Sequence, residues 1–379
     1  RWRTLPGCAR HSRLELMSRK SSRRDFLQGK AVARAVVDPW LADAKAESYL
    51  VEVSRPAMAC RFEGFLNAGQ YEHGTEASLE ALDLVEALES QMSVFRPASE
   101  ISRLNRLAAE GPVEVKPWLF ELLELAMELH AGTEGAFDVT SGPLWKAWGF
   151  ACGAGRVPDD EELAEARRKV GSELVELDPE HLTVRFRQPG VELNLGSIGK
   201  GYALDRCRER LTGAGVNDFL LHGGQSSVLA TGARLPADRL APEAVPFGWS
   251  VGLGHPTRRG RRLAELRLED RALGTSGTRT QYFRHQGRRY GHILDPRTGR
   301  PADGLLSATV VAPSGAEADA LSTAFYVMGA AEALKYCQAR PELSAVLVSA
   351  SDGPDGIEVR SIGLEEDELR LVAVDGGSR

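Results

Sequence analysis

Cysteine is scarce and unpaired in this chain: Cys8, Cys60, Cys152, Cys207 and Cys337 are scattered, odd in number and without a C-x-x-C pair. That excludes a disulfide framework and a thiolate zinc site, and leaves free core or surface thiols. No window of about 20 apolar residues occurs, so no spanning helix is expected. After residue 50 there is no long run of one charge sign, and the net charge is -6. A nucleic-acid binder would carry a basic face, so that class is set aside. Internal repeats, low-complexity tracts, a G-x-x-x-x-G-K-[ST] loop and a G-x-G-x-x-G turn are all missing.

What is there suffices for a sizeable core. Of 379 residues, 42% are hydrophobic, enough for one large or two closely packed domains. Residues 1–46 stand apart as a basic, poorly patterned leader, and 47–379 read as one domain. Within the leader, Ser22-Arg23-Arg24-Asp25-Phe26-Leu27 resembles a twin-arginine export signal. The apolar stretch such a signal needs is interrupted by Lys30 and Arg34, so a non-exported leader is an equal reading.

From residue 49 onward, helix and strand patterns mix. Leu79, Leu82, Val85, Leu88 and Met92 repeat at helical spacing and predict a helix over 75–92. Further helices are expected at 117–131, 159–169, 200–212 and 315–329. Strands are expected at 49–53, 61–67, 173–177, 182–187, 191–195, 218–222, 226–231, 248–253, 263–268, 305–312 and 344–349, with two short ones in 357–373. The Pro- and Ala-rich stretch 232–246 reads as a surface excursion. Strict strand–helix alternation is missing, so the fold class is α+β, a single compact unit of mixed sheets with packed helices.

Six clusters carry chemistry. Tyr290 to Pro301 holds His292, Asp295 and Arg297 on a stiff Asp-Pro and Thr-Gly turn. The histidine suits proton transfer near neutral pH and the arginine a phosphate oxygen; a plain hairpin with a satisfied histidine weighs equally. In Ser314 to Phe325, Ser314 and Glu317 have capping-box spacing. Asp319 and Thr323 share one helix face, where a carboxylate and a hydroxyl can hold Mg²⁺; an Asp bonded to nearby backbone is the alternative. Glu192 to Ala203 is a glycine-rich turn into a helix with Lys200 at its start, suited to a phosphate. Gly135-Ala136-Phe137-Asp138 sets an aromatic beside a carboxylate, for a flat heterocycle or simply a turn. His222-Gly223-Gly224-Gln225 and Thr275-Ser276-Gly277 are small-residue approaches to backbone. Together these suit phosphoryl transfer or pyrophosphate cleavage.

In this order, the motifs resemble the FAD:protein FMN transferases, the ApbE family. The resemblance covers roughly residues 49–350. It rests on Met92 to Pro97 with Ser99 to Asn105, Ala136-Phe137-Asp138, Leu195 to Ala203, Thr275-Ser276-Gly277, His292 to Pro301 and Ala318 to Ala324. It implies that a threonine or serine hydroxyl of a target flavoprotein attacks the FMN-side phosphorus of FAD, and that AMP leaves. By the same resemblance Asp319, Thr323 and the carbonyl of Ser197 hold Mg²⁺. Met58, Phe95, Ala136, Phe137, Asp138, Lys200 and Ile293 contact FAD, as do Thr275, Ser276 and Gly277. His292 assists proton transfer, supported by Asp295 and Arg297. The implied partners are FAD and an acceptor flavoprotein subunit of electron-transport type.

Departures from the family pattern are visible. Gln225 stands where Gly-Gly-Asp is usual, Phe95 where tyrosine is common, and Ser-Ile-Gly-Lys where Gly-Ile-Ala-Lys is usual. There is no lipoprotein cysteine. The resemblance implies the cell envelope or periplasm, whereas the weak export signal leaves the cytoplasm open. Two alternatives remain to transfer: a Mg²⁺-dependent FAD pyrophosphatase, and a non-catalytic FAD-binding protein, which the Gln225 substitution keeps open.

Overall fold

In a computed structural model, residues 50–235, 248–277, 281–352 and 356–372 are described. The expected leader, and all but the first four residues of the 232–246 excursion, lie outside them. In chain order the strands are β1 (Leu50–Ala57), β2 (Cys60–Asn67), β3 (Val113–Glu114), β4 (Val175–Asp178), β5 (Thr183–Phe186), β6 (Phe219–Gly223), β7 (Ser227–Thr231), β8 (Trp249–Gly254), β9 (Arg262–Leu268), β10 (Ala272–Gly277), β11 (Tyr282–His285), β12 (Arg288–Gly291), β13 (Ser307–Ala312), β14 (Ser344–Ala350), β15 (Ile357–Ile362) and β16 (Leu369–Leu371). The helices are α1 (Gly74–Met92), α2 (Glu100–Leu107), α3 (Pro117–Gly132), α4 (Gly142–Ala147), α5 (Asp160–Arg167), α6 (Gly199–Gly213), α7 (Gly315–Met328) and α8 (Ala330–Ala339).

Eight strands form one antiparallel sheet in the order β1-β2-β6-β7-β10-β13-β14-β15. Its two faces are both covered, which is why its strands are apolar in near-continuous runs rather than alternating. Helices α1, α6 and α7 pack on one face. Ala81, Leu82 and Val85 of α1 and Leu204, Cys207 and Leu211 of α6 are buried there with Phe219, Leu221 and Val310 of the sheet. On the other face lies the small sheet β16-β9-β8, whose Val251, Leu253, Leu263 and Leu266 bury against Leu220, Val228, Leu273 and Val346. The pleat thus sends neighbouring residues of β10 to opposite layers.

Local chemistry explains the helix starts. Pro117 stands in the first turn of α3, where its missing N–H costs nothing. Asp159 and Glu162 form a complete capping box on α5. Ser314 caps α7, accepting from Glu317 N at 3.2 Å. Glu317 does not reach back to close the expected box; its carboxylate pairs with Arg340 at 2.6 Å.

Two expected strands differ. Residues 191–195 make only one bridge, Glu192 to Ser141. Val191, Leu193 and Leu195 are buried and alternate as in a strand, but the backbone bonds elsewhere. Leu193 exchanges two hydrogen bonds with the Asn105 side chain, and Asn194 N donates to Val139 O at 2.7 Å. The strand expected at 173–177 begins as a helical turn at Ser172–Leu174 and extends only from Val175. Helices α2, α4 and α8, and strands β3 and β10 to β12, have no counterpart among the expected elements.

Candidate active site

A cavity of about 910 Å³ opens beside α7. Met58, Phe95, Lys200, Ser276, His292 and Asp319 are among the residues around it, drawn from widely separated stretches of chain.

Its centre is built by backbone contact. A Cβ on Gly201 would lie 1.8 Å from the Gly315 carbonyl oxygen, and one on Gly274 would lie 2.3 Å from that of Ala318. Only glycine lets α6 and β10 close onto α7 this tightly. The buried carboxylate of Asp205 then accepts from Gly315 N at 2.7 Å and Ala316 N at 2.9 Å, fixing the first turn of α7. Burial pushes the Asp205 carboxyl above its ordinary range, against the pull of those two N–H groups.

One turn on, Asp319 is 5% exposed. Gly201 N donates to its Oδ2 at 2.7 Å and Ser227 Oγ to its Oδ1 at 2.7 Å, while Lys200 Nζ stands 3.7 Å from Oδ2. Thr323 Oγ1 sits 3.1 Å from Ser276 Oγ, which also meets Ser322 Oγ at 2.9 Å. Asp319 and Thr323 therefore share one face, as their spacing implied. Ser197, half-buried in the turn before α6, lines the same cavity. A carboxylate offers about four acceptor sites, so Asp319 retains capacity. The surrounding donors are hard oxygens, the class Mg²⁺ takes. No group of three His, Cys, Asp or Glu that could hold a metal occurs among the described residues. A cation here would need phosphate and water to complete its shell.

His292 faces the cavity with its proton placement decided. Gln281 O lies 3.0 Å from Nδ1, and a carbonyl can only accept, so Nδ1 carries the hydrogen and Nε2 is the basic nitrogen. Burial lowers its pKa, and the charge of Lys200 adds to the lowering. The ring is therefore neutral at physiological pH.

Asp295 and Arg297 are not on the cavity. They pair with each other: Asp295 Oδ1 accepts from Arg297 N and Nε, both at 2.9 Å, and Oδ2 accepts from Nη2 at 3.1 Å. The expectation that Arg297 meets a phosphate is corrected, because its guanidinium is committed to closing the loop. That loop is further held by Trp148 Nε1 donating to Gly299 O at 2.8 Å. Ile293, at the start of the loop, is on the cavity and buried.

Asp138 is held by an unusual number of donors. Thr140 N and Oγ1 and Ser172 Oγ reach Oδ1, and Ser172 N and His130 Nδ1 reach Oδ2, at 2.6 to 3.1 Å. Burial would raise its pKa, but the bonds from His130 and Thr140 hold the carboxyl below its ordinary range. Ala136 and Phe137 each have 1% of their surface exposed, so Phe137 supplies core volume rather than an open ring face. The open ring is Phe95, at 66% exposed, with Trp145 6.2 Å away. Met58 stands at φ 49 in the two-residue turn between β1 and β2, a left-handed position no glycine occupies. Of the Thr275-Ser276-Gly277 triplet, only Ser276 faces the Asp319 side. Thr275 bonds Thr309 at 2.9 Å on the opposite face of the sheet.

The sequence reading missed Ser227, Ser322, Gln281, His130 and Ser172, which orient the expected residues. It also gave no weight to Glu63 as a cavity residue. The described cysteines, Cys60, Cys152, Cys207 and Cys337, are free thiols, as expected. No helix among the described residues is long and apolar enough to cross a membrane.

The ApbE family model matches residues 58–347. The FAD:protein FMN transferase of Haemophilus influenzae is 30% identical over 82% of this chain and 90% of its own length. That of Vibrio cholerae is 32% identical over 71% of this chain and 78% of its own. The solved flavin transferase ApbE from Vibrio cholerae superposes with a TM-score of 0.70 at 29% identity, over 83% of this chain and 97% of that one. By sequence and by architecture, the chain belongs to the ApbE family.

Proposed function

We propose that this chain transfers the FMN half of FAD onto a serine or threonine hydroxyl of an acceptor flavoprotein subunit of electron-transport type, releasing AMP. The observation that carries the reading is that His292, with Nδ1 taken up by Gln281 O and Nε2 left as its basic nitrogen, lines one cavity with Asp319, Thr323 and Lys200. In the reaction the acceptor oxygen bonds the FMN-side phosphorus, the bond from that phosphorus to the bridging oxygen breaks, and AMP carries the bridging oxygen away. The hydroxyl proton passes to His292 Nε2. Lys200 approaches the phosphate charge from the first turn of α6.

Asp319, Thr323 and the Ser197 carbonyl would hold Mg²⁺. When bound, it neutralises charge that develops on the phosphate oxygens. Phe95 offers its ring to a flat heterocycle, and Met58, Ala136, Phe137, Asp138, Ile293, Thr275 and Gly277 shape the remaining FAD contacts. Asp295 and Arg297 act as positioning residues through the loop that carries His292.

The test is incubation with FAD, Mg²⁺ and candidate acceptor domains, read as a covalent flavin band. A band that needs both FAD and Mg²⁺ is the expected result. AMP released at full rate with no acceptor, and no band with any acceptor, would convert the reading to a pyrophosphatase. FAD that stays bound and intact would leave only a binding protein.

A further inference from the structure

The second substrate of a transfer reaction needs its own seat, and the structure offers one beside the first. Among the described residues, β8 ends the small sheet β16-β9-β8 with no strand on its outer side. The direction of its free groups follows from β9. Arg267 N donates to Glu368 O and Val372 N to Leu263 O, so residues 263 and 267 turn their backbone toward β16. The alternate residues Ala264, Leu266 and Leu268 then turn theirs toward β8, onto Leu253, Val251 and Trp249. The N–H and C=O groups of Ser250 and Gly252 point away from the sheet, along its open edge.

That edge borders the catalytic cavity, since Gly252, Gly254 and the side chains of Val251 and Leu253 line it. Edge strands are usually blunted by proline, lysine or a covering element. Here Gly252 and Gly254 carry no side chain of their own and both are exposed, with the Arg262 side chain lying against one face of Gly252. A strand added to β8 would continue the small sheet, so its alternate side chains would face the central sheet as Val251 and Leu253 do. On that layer the cavity is lined by polar groups set in an apolar wall. Thr275 and Thr309 lie there, as does His222, whose Nε2 is buried without a hydrogen-bond partner. Thr275 adjoins Ser276, which reaches through to the Asp319 side of the sheet.

We propose that the acceptor polypeptide docks as an extended segment paired by main-chain hydrogen bonds to the outer edge of β8, which delivers its hydroxyl side chain into the FAD cavity. This rests on the transferase reading. It adds a mode of recognition by backbone, with side-chain selection left to alternate positions that face His222 and Thr275.

The experiment uses the full chain and the acceptor domain that takes the covalent flavin band, together with a synthetic peptide spanning its modified residue. Ser250→Pro removes one outward N–H while leaving the β8–β9 ladder intact, at an exposed position that does not line the cavity. Its KM for the acceptor is expected to rise at least about ten-fold, with acceptor-independent release of AMP from FAD unchanged. A second measurement needs no variant. Two peptides N-methylated on alternate sets of amides are compared with the unmodified peptide, and only one set is expected to abolish transfer. Equal transfer to all three peptides, equal loss with both methylated ones, or an unchanged KM for Ser250→Pro overturns the docking mode while leaving transfer itself standing. Absence of any covalent flavin with the wild-type chain overturns the transferase reading and the docking mode with it.

Discussion

Gly201 and Gly315 touch backbone to backbone: a methyl group on the first would sit 1.8 Å from the carbonyl oxygen of the second. This contact brings the first turn of α6 against the first turn of α7, and so places Gly201 N on the Asp319 carboxylate. Gly201→Ala is therefore expected to force the helices apart. Overpacking typically costs about 1–3 kcal/mol, and a clash with rigid backbone belongs at the upper end. Denaturant unfolding should show the loss of stability, and FMN transfer should fall further than stability does. A variant with wild-type midpoint and rate would mean the two helices are free to slide.

Asp319→Asn keeps the shape and removes the charge. The remaining oxygen can stay on Gly201 N while the new NH₂ donates to Ser227 Oγ, a hydroxyl that can also accept, so the fold should survive. Transfer is expected to drop at least about a hundred-fold, the scale of several kcal/mol of lost charge stabilisation. The dependence on Mg²⁺ concentration should shift upward in the same variant. Wild-type turnover in Asp319→Asn would remove the metal from this carboxylate.

How much of this is legible in the sequence depends on range. Asp319 and Thr323 are four apart on one helix, and their shared face follows from helical period alone. Ser227, which bonds Asp319 from 92 positions away, carries no local signal. Asp205 is similar: it reads as one more charge on an amphipathic helix, yet it caps α7 from 110 residues away. The glycines of α6 and α7 are visible in the sequence, but their mutual contact is a property of the crossing. Residues 191–195 read as a strand because Val191, Leu193 and Leu195 alternate; burial on one side gives that pattern whether the backbone pairs with a strand or, as here, with the Asn105 side chain. The overall α+β architecture is readable because both layers over the central sheet write their own periods into the chain.

Phe95 separates binding from folding. Its ring is 66% exposed, so truncation removes little buried area. Stacking of an aromatic on a base is worth about 1–3 kcal/mol. Phe95→Ala should raise the Kd for FAD by roughly ten-fold or more, with the unfolding midpoint unchanged. Flavin fluorescence titration reads the first and a melting curve the second. Unaltered affinity would place the flavin nucleotide away from this ring.

Asp138 behaves in the opposite way. Five donors converge on a carboxylate that is 5% exposed. Asp138→Asn would turn an amide NH₂ toward at least one of them. Leaving a buried donor without an acceptor costs about 1–3 kcal/mol, and more where charge is involved. The expected outcome is a clear loss of stability, with any loss of FAD affinity following from it. A variant of wild-type stability but weakened FAD binding would mean that this carboxylate acts chiefly on the ligand.

His222 gives a stability prediction with a definite sign. Burial pushes its pKa down to about 4, while in the unfolded chain it titrates in the ordinary range near about 6.5. The unfolded state therefore takes up the proton first, and the folded state loses stability as pH falls from about 6.5 toward 4. At about pH 5 the loss amounts to about 2 kcal/mol. Other groups bend the same curve. His292, also lowered by burial, adds to the acid loss. His130 opposes it: Asp138 raises its pKa, so its contribution is present at acid pH and fades as pH rises. Glu63, which pairs with His222 across β2 and β6 and is raised by burial, also favours the folded state on the acid side. The informative quantity is thus the difference between wild type and His222→Leu, in which the shared terms largely cancel. Leucine fits beside Phe65 and Val228, so the variant should gain stability relative to wild type as pH drops from about 7.5 to about 5, measured by denaturant midpoints. Parallel stability curves for the two proteins across that range would show that the imidazole is reached by water and pays no burial penalty.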